Sequence, residues 1–202
     1  MPNNVHHETE QAVWIAHSLF ERGKVTGSTA NLSFRMDDRI YVTASGSSFG
    51  RLESGDFAVI GLDGARLEDN GKKPSKEWPL HLAVYQSRPE VRAVLHTHSF
   101  YSVVWSCLPH ENEKDCIPTY TPYLRMKLGT VGLIPYAPPG SEALFSAFRE
   151  HMAGSDGWLL QNHGPVVPGK SLLDAFYALE ELEESARLAW VLKEESTALL
   201  IR

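Results

Sequence analysis

The stretch Val91-Arg92-Ala93-Val94-Leu95-His96-Thr97-His98 decides how this chain is read. Its apolar start predicts a strand, and residues two apart on a strand point to the same face. His96 and His98 would then stand side by side where the strand ends. Two imidazoles closing an apolar run are costly to bury unless something satisfies them. Spacing alone leaves two readings open: a pair of hydrogen-bonded core histidines, or two ligands of one ion. A third histidine, His163, lies in Asn162-His163-Gly164-Pro165. That sequence reads as a sharp corner between short strands at Trp158–Gln161 and Val166–Val167, with Gly164 and Pro165 setting an unusual backbone. Such a corner can present one side chain into a cleft. Three histidines with an open fourth position form the pattern of a catalytic divalent-cation site, and neutral imidazole suits zinc and other late first-row ions. Glu77 would offer a carboxylate for proton transfer beside it.

Outward from this centre, the flanking segments predict one mixed domain. Residues 9–22 place Val13, Ile15, Ala16, Leu19 and Phe20 at helical spacing, with Thr9 as the cap and Gly23 as the stop. Strands are expected at Asn31–Arg35, Arg39–Ala44 and Phe57–Leu62, with turns at Met36-Asp37-Asp38 and Asp63-Gly64. Asp69–Pro74 reads as a loop, Glu77–Gln86 as a helix that tolerates Pro79 in its first turn, and Ser99–Cys107 as an apolar helix. Residues 109–122 are polar and proline-bearing, hence a loop. A long helix starts at Ser171 and lines up Leu172, Phe176, Leu179, Leu182, Ala186 and Ala189. The result is an α/β single domain spanning 1–202, with its core at about 9–193: a mostly antiparallel central sheet flanked by helices.

The chain has 202 residues, 43% hydrophobic and 22% charged, the balance of a soluble globular protein. A net charge of −6 argues against a binder of nucleic acid backbones. No apolar run is long enough for a membrane span, and the start of the chain has no signal-like core. Two cysteines, Cys107 and Cys116, make no disulfide framework, so the expectation is a cytoplasmic protein. Of nine histidines, His6, His7, His110 and His151 sit in polar stretches and read as exposed. His17 reads as surface or helix packing. His81, one turn after Glu77, is expected to pack rather than to serve the site.

Two segments rich in small residues and hydroxyls, Gly27-Ser28-Thr29-Ala30-Asn31 and Ala44-Ser45-Gly46-Ser47-Ser48, are either ordinary turns or anion-binding concavities. Gly46-Ser47-Ser48-Phe49-Gly50 also fits the nucleophile elbow of serine hydrolases, but that motif needs a helix after it, and here another strand follows.

Lys73-Pro74-Ser75-Lys76-Glu77, His96-Thr97-His98-Ser99 and Gln161-Asn162-His163-Gly164 resemble, in order and spacing, the motifs of the class II aldolase/adducin superfamily. The resemblance runs from about Ser18 to Val191. Ser18–Gly23, Ser47–Leu52, Lys73–Glu77, Thr121-Pro122-Tyr123 and Glu180–Glu184 are most similar to its 3-oxo-tetronate 4-phosphate decarboxylases. Lys76 stands where fuculose-phosphate aldolases have serine, Glu77 where the 4-epimerases have aspartate, and Ala30 where the aldolase pattern has glycine.

The resemblance implies a three-layer fold and one divalent cation per subunit, Zn2+ foremost, held by His96, His98 and His163. It implies that Glu77 is the acid/base and also a ligand while no substrate is bound. Ser28, Asn31, Ser45, Gly46 and Ser75 would bind the substrate phosphate, and Lys76 a substrate anion. Tyr123, or Tyr120 in its place, would donate a proton in a neighbouring subunit's site, within a homotetramer. The implied activity is decarboxylation through an enediolate. The alternatives within the superfamily are an aldolase, an epimerase or a dehydratase, and outside catalysis an adducin-like binding module.

Overall fold

The computed structural model describes residues 2–68, 70–195 and 197–201. Asp69, the expected start of one loop, lies outside the described residues. Helix α1 (Pro2–Glu21) begins well before residue 9, so Thr9 is not its cap. Thr9 lies inside the helix and donates its hydroxyl to the Val5 carbonyl at 2.7 Å. That i−4 bond lets a threonine sit in a helix without breaking it. Strands β1 (Asn31–Met36) and β2 (Arg39–Thr43) form the expected hairpin, turned by Asp37 at φ +52°, a conformation aspartate tolerates. A three-residue 3-10 turn at Phe49–Arg51 leads into β3 (Phe57–Gly61), and the chain doubles back at Asp63-Gly64. Only this single 3-10 turn follows Ser48, and no α-helix, which removes the hydrolase elbow.

Helix α2 (Trp78–Ser87) then delivers the chain to β4 (Ala93–His96). After β4 come α3 (Phe100–Ser106), the irregular stretch 107–122 and a short α4 (Tyr123–Lys127). Next are β5 (Val131–Ile134), α5 (Glu142–His151), β6 (Gly157–Leu160), β7 (Gly164–Gly169) and α6 (Leu172–Leu192). α4, β5 and α5 are additions to the expected order. Ser171 caps α6 by accepting from the Asp174 amide at 3.1 Å.

The seven strands lie in the order β3-β2-β1-β4-β7-β6-β5. Every pair is antiparallel except β5–β6, where α5 makes the crossover that parallel strands require. Alternation along the strands splits the core into two layers. Leu32, Phe34, Leu95 and Val167 face Ile15, Leu19, Phe176 and Leu179 of α1 and α6. Val42, Val94, Trp158 and Val166 face Leu80, Val84, Phe145 and Phe148 of α2 and α5. Each fully buried side chain of this size contributes about 1.5–3 kcal/mol, so both faces hold the sheet rigid under the site. β4 lies mid-sheet, between β1 and β7, and its C-terminal end carries the histidines. Among the described residues, no helix is long and apolar enough to cross a membrane.

Candidate metal centre

Only His96 lies on the strand, paired with Asn31 on one side and Val166 on the other. His98 is two residues past it, so the same-face argument fails in its strict form. The backbone nevertheless stays in reach of β7, with Thr97 N–H donating to the Pro165 carbonyl at 3.4 Å. The corner that presents His163 also differs from expectation. Gly164 and Pro165 are already inside β7, and the turn is made by Asn162 at φ +57°. Asparagine is one of the few residues that adopt this backbone readily. Gly164 has a different job: a Cβ there would collide with the Thr97 carbonyl oxygen and press on the His98 backbone. The close approach of these two segments brings the rings together. Their centroids are 5.3 Å (His96–His98), 4.8 Å (His96–His163) and 4.7 Å (His98–His163) apart.

His96 Nδ1 is 2.8 Å from the Pro165 carbonyl, which can only accept. Nδ1 therefore carries a proton, and Nε2 faces the cluster. Glu77, at the N-terminal boundary of α2, places Oε2 3.0 Å from His96 Nε2 and Oε1 3.5 Å from His163 Nε2. Oε1 also accepts from the Gly140 amide at 3.1 Å. A carboxylate oxygen 3.0 Å from an imidazole nitrogen is satisfied by a proton on that nitrogen or by a cation held between the two. Nε2 of His96, Nε2 of His98 and both ring nitrogens of His163 are buried without a hydrogen bond. Each such orphan costs about 1–3 kcal/mol. One ligand atom from each of Glu77, His96, His98 and His163 falls within 4.8 Å of the others, so the donor set fits a divalent cation.

The electrostatics agree. Burial, with His96 nearby, holds His98 and His163 down at about 4, so both are neutral near pH 7, as ligation requires. Burial alone would push the Glu77 carboxyl up, but His96, His163 and His98 outweigh it and hold it at about 2. Glu77 is therefore ionised.

Beside the cluster opens a cleft of about 440 Å³. Ser28, Asn31, Ser45, Gly46, Ser75 and Lys76 line it together with Glu77, His98 and His163. The 44–48 loop is tied to the segment 73–75 by an Ala44–Pro74 bridge, by Ser45 N–H to the Lys73 carbonyl (2.8 Å) and by Ser75 N–H to the Thr43 carbonyl (3.0 Å). These backbone donors are already committed, so the serine hydroxyls and the Gly46 amide are what the loops present to an anion. Pro139 and Gly140, from the unanticipated loop before α5, close the far side. The signal for them was the turn run Pro138-Pro139-Gly140 ahead of the Ser141 cap. A larger cleft of about 860 Å³ lies between the β1–β2 turn and the start of α6, and no histidine lines it.

Tyr123 is not brought to this cleft. It is the first residue of α4 and 57% exposed, while Tyr120 packs half-buried against the core. His17 bonds to the Leu52 carbonyl at 3.0 Å. His110 and His151 are half-buried on the Trp105 and Ala147 carbonyls rather than exposed. His81 packs, as expected, and also bonds to a residue that lines the cleft. It is fully buried directly behind the cleft, with Nε2 2.6 Å from Asn31 Oδ1, and burial holds it at about 3.

A mostly antiparallel three-layer sheet with a histidine–glutamate cluster at its centre defines a class. Over residues 10–190 the chain matches the model of the class II aldolase and adducin N-terminal domain, and it belongs to that family. It is 41% identical to the 3-oxo-tetronate 4-phosphate decarboxylase of Haemophilus influenzae, over 92% of this chain and 88% of that one. It is 36% identical to the L-fuculose phosphate aldolase of Methanocaldococcus jannaschii, over 90% and 94%. The crystal structure of YgbL from Klebsiella pneumoniae superposes with a TM-score of 0.91 at 38% identity, covering 98% of this chain and 95% of that one.

Proposed function

We propose that this chain is a metal-dependent lyase that decarboxylates a 3-oxo-tetronate 4-phosphate to dihydroxyacetone phosphate and carbon dioxide. The observation that carries this reading is that one cleft joins the histidine–glutamate cluster to both serine loops. The similarity to decarboxylases over nine-tenths of the chain supports the choice of reaction. His96, His98 and His163, with Glu77 beside them, would hold a divalent cation, zinc by the donor set, which when bound supplies a Lewis acid for the substrate's ketone oxygen.

Ser28, Asn31, Ser45, Gly46 and Ser75 take the phosphate and so anchor the substrate at its unreactive end. Lys76 meets an anionic group at the rim. The C1–C2 bond then breaks, carbon dioxide leaves, and the electron pair spreads from C2 to the C3 oxygen as an enediolate. A proton added at C2 completes dihydroxyacetone phosphate. Glu77 stands nearest as proton carrier, but an ionised carboxylate must first accept the proton it passes on. Water or Tyr123 of the partner subunit supplies it, in a homotetramer with sites at the interfaces; the exposed position of Tyr123 on α4 suits that role. A cytoplasmic location accords with the two free cysteines.

The test is incubation with 3-oxo-tetronate 4-phosphates of both configurations, following carbon dioxide and triose phosphate. Glu77→Gln should retain the metal and lose most turnover, and near-normal rates would remove Glu77 from the mechanism. The second reading, a sugar-phosphate aldolase, is favoured by the 36% identity to the archaeal enzyme. It would be established by no carbon dioxide from any substrate, together with condensation of an aldehyde with dihydroxyacetone phosphate. A non-catalytic module ranks below both, because a binding module has no use for four potential ligands, three of them buried, around one point, and an epimerase ranks below both because Glu77 stands where the 4-epimerases have aspartate.

A further inference from the structure

Glu77, His81 and Tyr85 are spaced i, i+4, i+8 and so form one stripe along the start and body of α2. That stripe runs beneath β1, where Asn31 and Ser33, two residues apart, point to the same side. The contacts form an unbroken buried chain. His81 Nε2 is 2.6 Å from Asn31 Oδ1, His81 Nδ1 is 2.8 Å from Ser33 Oγ, and Ser33 Oγ is 2.8 Å from the Tyr85 hydroxyl. Asn31, Ser33, His81 and Tyr85 are all buried.

Proton accounting gives this chain a direction. If Tyr85 donates to Ser33, Ser33 donates to His81 Nδ1, and His81 Nε2–H donates to Asn31 Oδ1, every group is satisfied. In the reverse direction the Tyr85 proton needs another acceptor, and its other hydrogen-bond neighbour, the Val94 backbone N–H, is itself a donor. A buried hydroxyl proton without an acceptor is costly, so the first direction holds.

We propose that His81 is a positioning residue: it holds the Asn31 carbonyl oxygen toward the protein and thereby turns the Asn31 N–H2 group to the cleft as a fixed hydrogen-bond donor. The inference rests on the reading of the cleft as a phosphate site, to which it adds a polarity. Asn31 pairs directly with His96 in the sheet, so the donor is also fixed relative to the metal cluster. Without His81 the amide can flip and offer its oxygen to an anion.

The test uses the zinc-loaded protein with inorganic phosphate as the probe. Nitrogen-15 spectra of the wild-type imidazoles should place the His81 proton on Nε2 and leave Nδ1 bare, while a proton on Nδ1 overturns the proposal without any variant. His81→Phe should keep its zinc and bind phosphate about tenfold more weakly, the loss of one oriented charge-assisted bond. His81→Gln keeps a donor for Asn31 and should recover affinity to within about threefold. Zinc-replete His81→Phe with wild-type phosphate affinity, alongside a loss in Asn31→Ala, overturns the role of His81 and leaves the phosphate site standing. Unchanged affinity in Asn31→Ala overturns the phosphate reading and this inference with it.

Discussion

Replacing Glu183 by glutamine probes how the histidine-bearing corner is held from below. Glu183 lies on α6, is 2% exposed, and directs its carboxylate at the start of α3. Oε1 accepts from the Tyr101 amide at 3.1 Å, and Oε2 accepts from the Ser102 amide at 2.9 Å and its hydroxyl at 2.8 Å. Ser99, at the boundary of α3, provides no side-chain cap, so these amides depend on Glu183. The first amides of a helix have no partner within it. A glutamine offers one acceptor oxygen and turns an N–H2 group toward the remaining donors. One or two buried donors lose their acceptor, at about 1–3 kcal/mol each, and the surviving bond loses its charge assistance. The sum is about 3–5 kcal/mol, a large part of the roughly 5–15 kcal/mol that stabilises a domain. At about 2–4 °C per kcal/mol for a chain of this size, the melting temperature should fall by roughly 6–20 °C. Calorimetric melting of the metal-free protein measures it, with a urea titration to check that the slope is unchanged. A fall under about 3 °C would refute the reasoning, since the two amides would then be satisfied without the carboxylate.

His163→Ala should cut bound metal per subunit at least tenfold while melting within a few degrees of wild type, read by elemental analysis of dialysed protein. Burial holds His98 and His163 at about 4, below their unfolded value, so between those limits the unfolded chain binds more protons. Stability of the metal-free protein should therefore decline as pH falls from about 6.5 to about 4, at about 1.4 kcal/mol per pH unit for each histidine. Urea midpoints across that range test the sign, and a flat profile would contradict it. Gly164→Ala forces a Cβ against the Thr97 carbonyl and should cost about 1–3 kcal/mol while weakening metal binding, because the His98 backbone must move to make room. Retained affinity with full stability would show that the two segments can separate freely.

Much of the architecture was legible from periodicity. The β1–β2 hairpin, β4, α2 and α6 follow the expected spans within a few residues, because the helices bury a regular face and β4, buried on both faces, is a continuous apolar run. The parallel pair β5–β6 was not, since β5 is a four-residue strand interrupted by Gly132, too short to show a period. α5 does carry Leu144, Phe145 and Phe148 at helical spacing, but on an otherwise polar segment behind a proline turn. In the site, residue chemistry was legible and its placement was not. His98 reaches the cluster from beyond the strand end, and Asn162 rather than Gly164 makes the corner. Both depend on contacts between segments far apart in sequence, as do the Gly140 bond to Glu77 and the burial of His81 behind Asn31.

The four groups of the cluster are divided along the chain: Glu77, His96 and His98 lie in the first half, and His163 enters only with the β6–β7 turn. β7 is also the strand that seals β4 on its open side. A nascent chain emerging from the ribosome therefore holds an incomplete ligand set until its last third has been made and docked. If these groups hold an ion as proposed, its loading is coupled to completion of the sheet, and the occupied centre would clasp the two parts of the polypeptide.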